Sequence, residues 1–166
     1  MRREANDIDD EAKMSGDDLA SKCHAKYLEF RKQGDFEDIP EMTADDLSKA
    51  MQGDDKPVIV DVREDAERAI STIPGAISKA DFEAGADGAY KGKTVVSYCT
   101  ISYRSGLYNK ELIKKGRGDI FNLADGVLGW TGKGLPIEAD GKPTKKLHVM
   151  MEAMAPLAPS DIEASW

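Results

Sequence analysis

Cysteine and histidine each occur only twice in this 166-residue chain, at Cys23, Cys99, His24 and His148. That is too few for a disulfide framework or a closed zinc site, so no metal is expected. Basic residues are outnumbered, 23 Lys and Arg against 31 Asp and Glu, and the formal charge is -8. With no basic stripe to release counterions, the chain is not expected to bind nucleic acid or to anchor on an anionic membrane surface. No apolar run approaches the ~20 residues of a spanning helix. Met1-Arg2-Arg3-Glu4 leads into an acidic stretch, not into the apolar segment of a signal peptide. These absences predict a soluble intracellular protein, cytoplasmic by default, or organellar if a targeting segment has been removed. The oligomeric state does not follow.

What is present suits one core with a heavily solvated surface: 40% hydrophobic and 33% charged residues. Residues 1–16 are polar, acidic and aperiodic, and are expected to form an arm. Asp17 or Asp18 then caps a helix whose Leu19, Cys23, Tyr27 and Phe30 form one apolar stripe, closed by Arg31, Lys32 and Gly34. Such a stripe must dock, most simply on the main domain. Next come a strand-like entry at 39–42 and a helix over 44–51 capped by Thr43. A β-branched run, Val58-Ile59-Val60-Asp61-Val62, precedes a helix over 64–70. A helical turn around 81–84 precedes a second clear strand, Thr94 to Cys99. A helix through Leu107, Tyr108, Leu112 and Ile113 leads to a last strand, Ile120-Phe121-Asn122-Leu123. Strands alternating with helices imply an α/β fold with a parallel sheet. The chain divides into an acidic arm and amphipathic helix (1–38), a main domain (39–138) and a tail (139–166). The tail is dense in Met, with Leu147, Val149 and terminal Trp166, and is expected to pack on the domain or a partner.

The chemistry concentrates in Tyr98-Cys99-Thr100-Ile101-Ser102-Tyr103-Arg104-Ser105. A thiol ends a strand, a short loop follows, and an Arg opens a helix. Backbone N–H groups of such a loop converge on one point, the helix N-terminus adds partial positive charge, and Arg104 adds a full one. All three favour a thiolate, so Cys99 is expected to be a nucleophile and an anionic adduct on it to be stabilised. The plainer reading is a thiol buried at the end of a core strand.

Taken in order, several blocks resemble the rhodanese-like (sulfurtransferase) domains: Val60-Asp61-Val62-Arg63-Glu64, Ile73-Pro74-Gly75-Ala76-Ile77, the Cys99 to Gly106 loop, then Asn122-Leu123, Asp125-Gly126 and Trp130, with Gly134-Leu135-Pro136-Ile137 closing. The resemblance spans residues 39–138, and the tail from Leu147 is similar to an extension of some single-domain members. It implies a rhodanese-like parallel sheet flanked by helices, with the N-terminal helix and the tail added. It also implies sulfur transfer through a Cys99 persulfide, from thiosulfate or a persulfide donor to a thiophilic acceptor such as cyanide or a thiol. The partners so implied are small molecules or protein thiols, with no cofactor. Cys99 and Arg104 would be catalytic. Thr100, Ile101, Ser102, Tyr103 and Ser105 would form the substrate-binding loop, with Asp61 and Arg63 in support or simply paired with each other. Cys99 to Arg104 inclusive is six residues, the sulfurtransferase size in this resemblance, whereas related phosphatases and arsenate reductases carry one more. Ser102 stands where relatives often have Gly, which matters if the position needs φ > 0. The rival expectation is a catalytically weak module of the same family that binds a partner.

Other signals carry less. Gly-Lys-Thr at 92–94 precedes a strand instead of following one, unlike a phosphate-binding loop, and Arg117-Gly118-Asp119 reads as a helix-to-strand turn. Cys23 belongs to the helix stripe, and core packing is its expected role, with a resolving thiol for Cys99 as the alternative.

Overall fold

A computed structural model of the chain describes residues 16–166. The expected acidic arm, apart from Gly16, lies outside the described residues. The first element is α1 (Gly16–Gln33), with Asp17 and Asp18 in its first turn and Arg31 and Lys32 in its last, each sign at the end its dipole favours. Its stripe buries Cys23 and Tyr27 and packs Phe30 beside them.

The centre is a five-stranded sheet whose strands pair in parallel throughout. In chain order the strands are β1 (Glu41–Met42), β2 (Val58–Asp61), β3 (Ile77–Ser78), β4 (Val95–Tyr98) and β5 (Ile120–Leu123). They lie side by side as β1-β5-β4-β2-β3. Helices fill the crossovers, as parallel pairing requires. They are α2 (Ala44–Ala50), α3 (Asp65–Ile70), α4 (Lys79–Gly85), α5 (Tyr103–Lys114) and, after β5, α6 (Gly126–Gly132). Thr43 and Ser78 cap α2 and α4 by accepting the Asp46 and Asp81 N–H groups.

Side-chain alternation splits the apolar residues between the two faces of the sheet. Ile59, Val96 and Leu123 join the larger core with α1 and α6, while Val60, Val95 and Ile120 join a smaller one with Phe82 of α4. Both faces are covered, which is why these strands read as continuous apolar runs.

After α6 the chain makes a hairpin of β6 (Ile137–Ala139) and β7 (Lys142–Thr144) across Asp140-Gly141, both at positive φ as such a two-residue turn demands. Then β8 (Lys146–His148) pairs in parallel with β9 (Glu163–Ser165), with a 3-10 turn (Glu152–Leu157) between them. Leu147, Val149 and Met154 are buried in the larger core, so the tail packs on the domain. Among the described residues no helix is long and apolar enough to cross a membrane. Arg117-Gly118-Asp119 lies in the turn between α5 and β5, with Arg117 donating to the Tyr90 and Lys93 carbonyls.

Candidate active site

β4 runs up the middle of the sheet and delivers Cys99 to its C-terminal edge, where α/β folds place ligands. The loop that follows is held by its carbonyls. Val127 N–H donates to the Cys99 carbonyl at 3.0 Å and Leu128 N–H to the Thr100 carbonyl at 3.1 Å, both from the first turn of α6. The Ser102 carbonyl accepts from Asn122 Nδ2 at 2.9 Å and from Gly106 N–H at 3.2 Å. Every peptide bond among the described residues is trans, so fixing a carbonyl on one side turns the next residue's N–H to the other. Among the described residues, no backbone or side-chain acceptor takes the N–H groups of residues 100–104. These N–H groups and the start of α5 give the loop that follows Cys99 a partial positive charge.

Two fully buried residues steady this arrangement from below. Ser105 commits its single proton to Asn122 Oδ1 at 2.6 Å, leaving its oxygen 3.9 Å from Cys99 Sγ. Asn122 Nδ2 also reaches the Tyr27 hydroxyl at 3.3 Å, tying the loop to α1.

Arg104 makes a two-pronged ion pair with Glu67 of α3, 2.8 Å at each prong, and a longer 3.4 Å contact to Thr100 Oγ1. Its Nε is buried and lacks a partner among the described residues. Burial opposes the Arg104 charge, but hydrogen bonding to Glu67 and the nearby Cys99 sulfur outweigh burial and raise its pKa. For Glu67, burial alone would raise the carboxyl; bonds from Arg104 and the Glu64 N–H, with the Arg104 and Arg63 charges, reverse this and lower it. The guanidinium is thus fixed and charged, with its buried Nε–H not taken by any described residue.

A pocket of about 170 Å³ lies over the loop. Of the residues expected at the site, Cys99, Thr100, Ile101, Tyr103 and Arg104 line it, with Ser102 and Ser105 in the buried frame beneath. Asp61 and Arg63 do not line it. They bond each other through two prongs, at 3.0 and 2.8 Å, and reach Tyr98 and the Ser71 carbonyl. Cys23 lies in the core, its Sγ 3.9 Å from the Asp125 carbonyl, and burial followed by the Asp125 charge pushes its thiol up to about 12. That disfavours it as a resolving thiolate at neutral pH.

Sequence reading missed Glu67, Asn122 and the pocket's remaining walls, Phe30, Met150 and Met151. Glu67 had a signal: it stands three residues after Glu64, and the two form a reciprocal cap at the start of α3. The others depend on tertiary contacts that no local pattern encodes.

Ser102 sits at φ +61, ψ 28, the left-handed region. An L side chain there costs about 1–2 kcal/mol, and its buried hydroxyl has no partner among the described residues. Glycine would remove both penalties and return some unfolded-state entropy. Ser102→Gly is therefore expected to stabilise the fold by about 1 kcal/mol, read as a Tm increase of roughly 2–4 °C. An unchanged or lower Tm contradicts the strain.

A parallel sheet that presents one thiol inside such a loop defines a class of protein, and this chain belongs to it: the rhodanese-like domain family, whose sequence model matches residues 43–133. A sulfurtransferase of Allochromatium vinosum is 30% identical over 103 residues, or 61% of this chain and 96% of that protein. Thiosulfate sulfurtransferase from Pseudomonas aeruginosa superposes with a TM-score of 0.58 at 22% identity, covering 74% of this chain but only 25% of that one. A rhodanese-like domain protein from Staphylococcus aureus gives 0.52 at 25% identity, covering 62% of this chain and all of that one, 100%.

Proposed function

We propose that this protein is a sulfurtransferase that carries sulfur as a persulfide on Cys99. The observation that carries the reading is the set of N–H groups at residues 100–104, in the loop that follows Cys99, which no described residue accepts. In the first half-reaction the Cys99 thiolate attacks the sulfane sulfur of a donor. A sulfur–sulfur bond to Cys99 forms, the donor's own bond to that sulfur breaks, and the remainder leaves with the electron pair, as sulfite does from thiosulfate. In the second, cyanide or a thiolate attacks the outer sulfur and Cys99 leaves as thiolate. Charge rests on the outer sulfur between the two steps, where the amides, the α5 terminus and the Arg104 guanidinium stabilise it. Glu67 positions the guanidinium. The six-residue loop supports sulfur chemistry over phosphate chemistry.

The test is thiocyanate formation from thiosulfate and cyanide, together with intact mass. The wild type should gain one sulfur atom on Cys99 and turn over. Cys99→Ser should lose both, with activity falling by at least about 1,000-fold, as expected on removing a nucleophile. Activity retained in Cys99→Ser would sink the assignment. A second reading, a catalytically weak binding module, draws on Cys99 being only 2% exposed. A wild type that gains no sulfur from any donor decides for it.

A further inference from the structure

The roof of the pocket over Cys99 comes from outside the segment that matches the family. Phe30 belongs to α1, and Met150 and Met151 to the tail, whereas the match runs over residues 43–133. This roof is built on backbone that ordinary residues resist. Met150 has φ +73, and the Met151 N–H closes back on the Val149 carbonyl at 2.9 Å, a rare three-residue turn of the positive-φ kind. The Met150 N–H donates to His148 Nδ1 at 3.0 Å, and the Val149 N–H to the Ser165 carbonyl at 2.8 Å. Strain of this sort persists only where its surroundings impose it, and it clusters where ligands are held. Beside it Met151 is 44% exposed, a large apolar side chain at the mouth of the site.

Floor and roof therefore differ in chemistry. The loop amides and the buried Arg104 Nε–H lie behind the lining, while the surface turned to the pocket is apolar and includes two thioethers and the Phe30 ring. Both terminal nitrogens of Arg104 are already committed to Glu67, so the cation in the pocket lining is already paired. A donor such as thiosulfate, with charged oxygens beyond its sulfane sulfur, would set those oxygens against Met150 and Phe30. A molecule with sulfur at one end and a short carbon chain at the other matches both surfaces, and about 170 Å³ admits only a small one.

Resting on the sulfur-transfer reading above, we propose that the preferred donor is a small organic persulfide with an uncharged, apolar substituent, and that Met150 and Met151 set this preference. The step balances without a co-reactant. The Cys99 thiolate attacks the outer sulfur of R–S–SH, the Cys99 sulfur–sulfur bond forms as the R–S–S bond breaks, and R–S⁻ leaves and takes the proton. Cys99 gains one sulfur and the donor departs as the thiol R–SH.

The experiment measures the rate at which Cys99 of the full chain gains one sulfur by intact mass, with Cys99→Ser as the blank. The two donors are propyl hydropersulfide and its 2-carboxyethyl counterpart, matched in length but not in charge. The wild type should load at least about 10-fold faster from the propyl donor, the scale on which an apolar pocket discriminates. Two variants should bring the ratio close to one. Met150→Gly suits the positive φ and removes the side chain, and Met151→Lys puts a cation at an exposed position that tolerates it. Equal loading in the wild type, or a preference that survives both variants, overturns the proposal and leaves sulfur transfer standing. No sulfur on Cys99 from either donor, from thiosulfate or from inorganic polysulfide overturns both.

Discussion

Asp61→Ala should destabilise the fold by about 3–5 kcal/mol, the cost of stranding the partner of a buried ion pair, and lower Tm by roughly 10 °C. The Asp61 and Arg63 side chains are both 0% exposed. Asp61 accepts four bonds: the Arg63 N–H, Nε and Nη2, and the Tyr98 hydroxyl. Burial opposes the Arg63 charge, but bonding to Asp61 and the neighbouring negative groups outweigh it, so the guanidinium stays protonated. Without Asp61 that charge keeps only the Ser71 carbonyl among its described acceptors. Tyr98, which also takes the Ile73 N–H at 3.0 Å, loses the acceptor for its own proton. The network thus clamps the ends of β2 and β4 to the turn after α3, one residue before Cys99. Urea unfolding provides the measurement, and a double variant sharpens it. Asp61→Ala with Arg63→Met removes both charges and should be less destabilised than Asp61→Ala alone. A double variant worse than the single one contradicts a stranded charge as the cause.

How much of this was legible beforehand follows from the range of the forces involved. The β-branched run at Val58 to Val62, the Thr43 cap and the Cys23–Tyr27 stripe are local signals, and each is found at its place. Strand order is not local, because it depends on which crossovers cover which face. The ordered family motifs, more than periodicity, pointed to the sheet that places Cys99 at its edge. Within the site, Cys99 and Arg104 were picked out by a strand–loop–helix reading, while the glycine frequent in relatives at the place of Ser102 raised the question of a positive φ, which the structure has at +61. The Arg104–Glu67 pair and the Asn122 hub did not, since they join residues 37 and 20 positions apart. Asp61 and Arg63 could be placed at the correct edge, but only their four-bond geometry separates mutual pairing from a place in the pocket.

Gly126→Ala should produce the second large effect, and it links the fold to the chemistry. Gly126 sits at φ +61, and a Cβ there would lie 2.5 Å from the Thr100 carbonyl oxygen and 2.6 Å from that of Cys99. Both contacts are backbone, so no side-chain rotation relieves them. Either α6 withdraws or the loop peptides turn. In both cases the Val127 and Leu128 N–H bonds to those carbonyls, at 3.0 and 3.1 Å, are lost. The left-handed residue alone costs about 1–2 kcal/mol, and two broken buried bonds add about 1 kcal/mol each, for a loss near 3–4 kcal/mol. The same two bonds turn the Thr100 and Ile101 amides away from α6, so the cradle is disordered together with the fold. Sulfur loading on Cys99 should fall by about 100-fold, the scale of losing one preorganised donor. Gly132→Ala is the control: it ends the same helix and its Cβ would meet nothing within 4 Å. It should leave Tm and loading within error of wild type. Should Gly126→Ala unfold and load like Gly132→Ala, the carbonyls of Cys99 and Thr100 do not set the direction of the loop amides, and the explanation of the anion cradle fails at its first step.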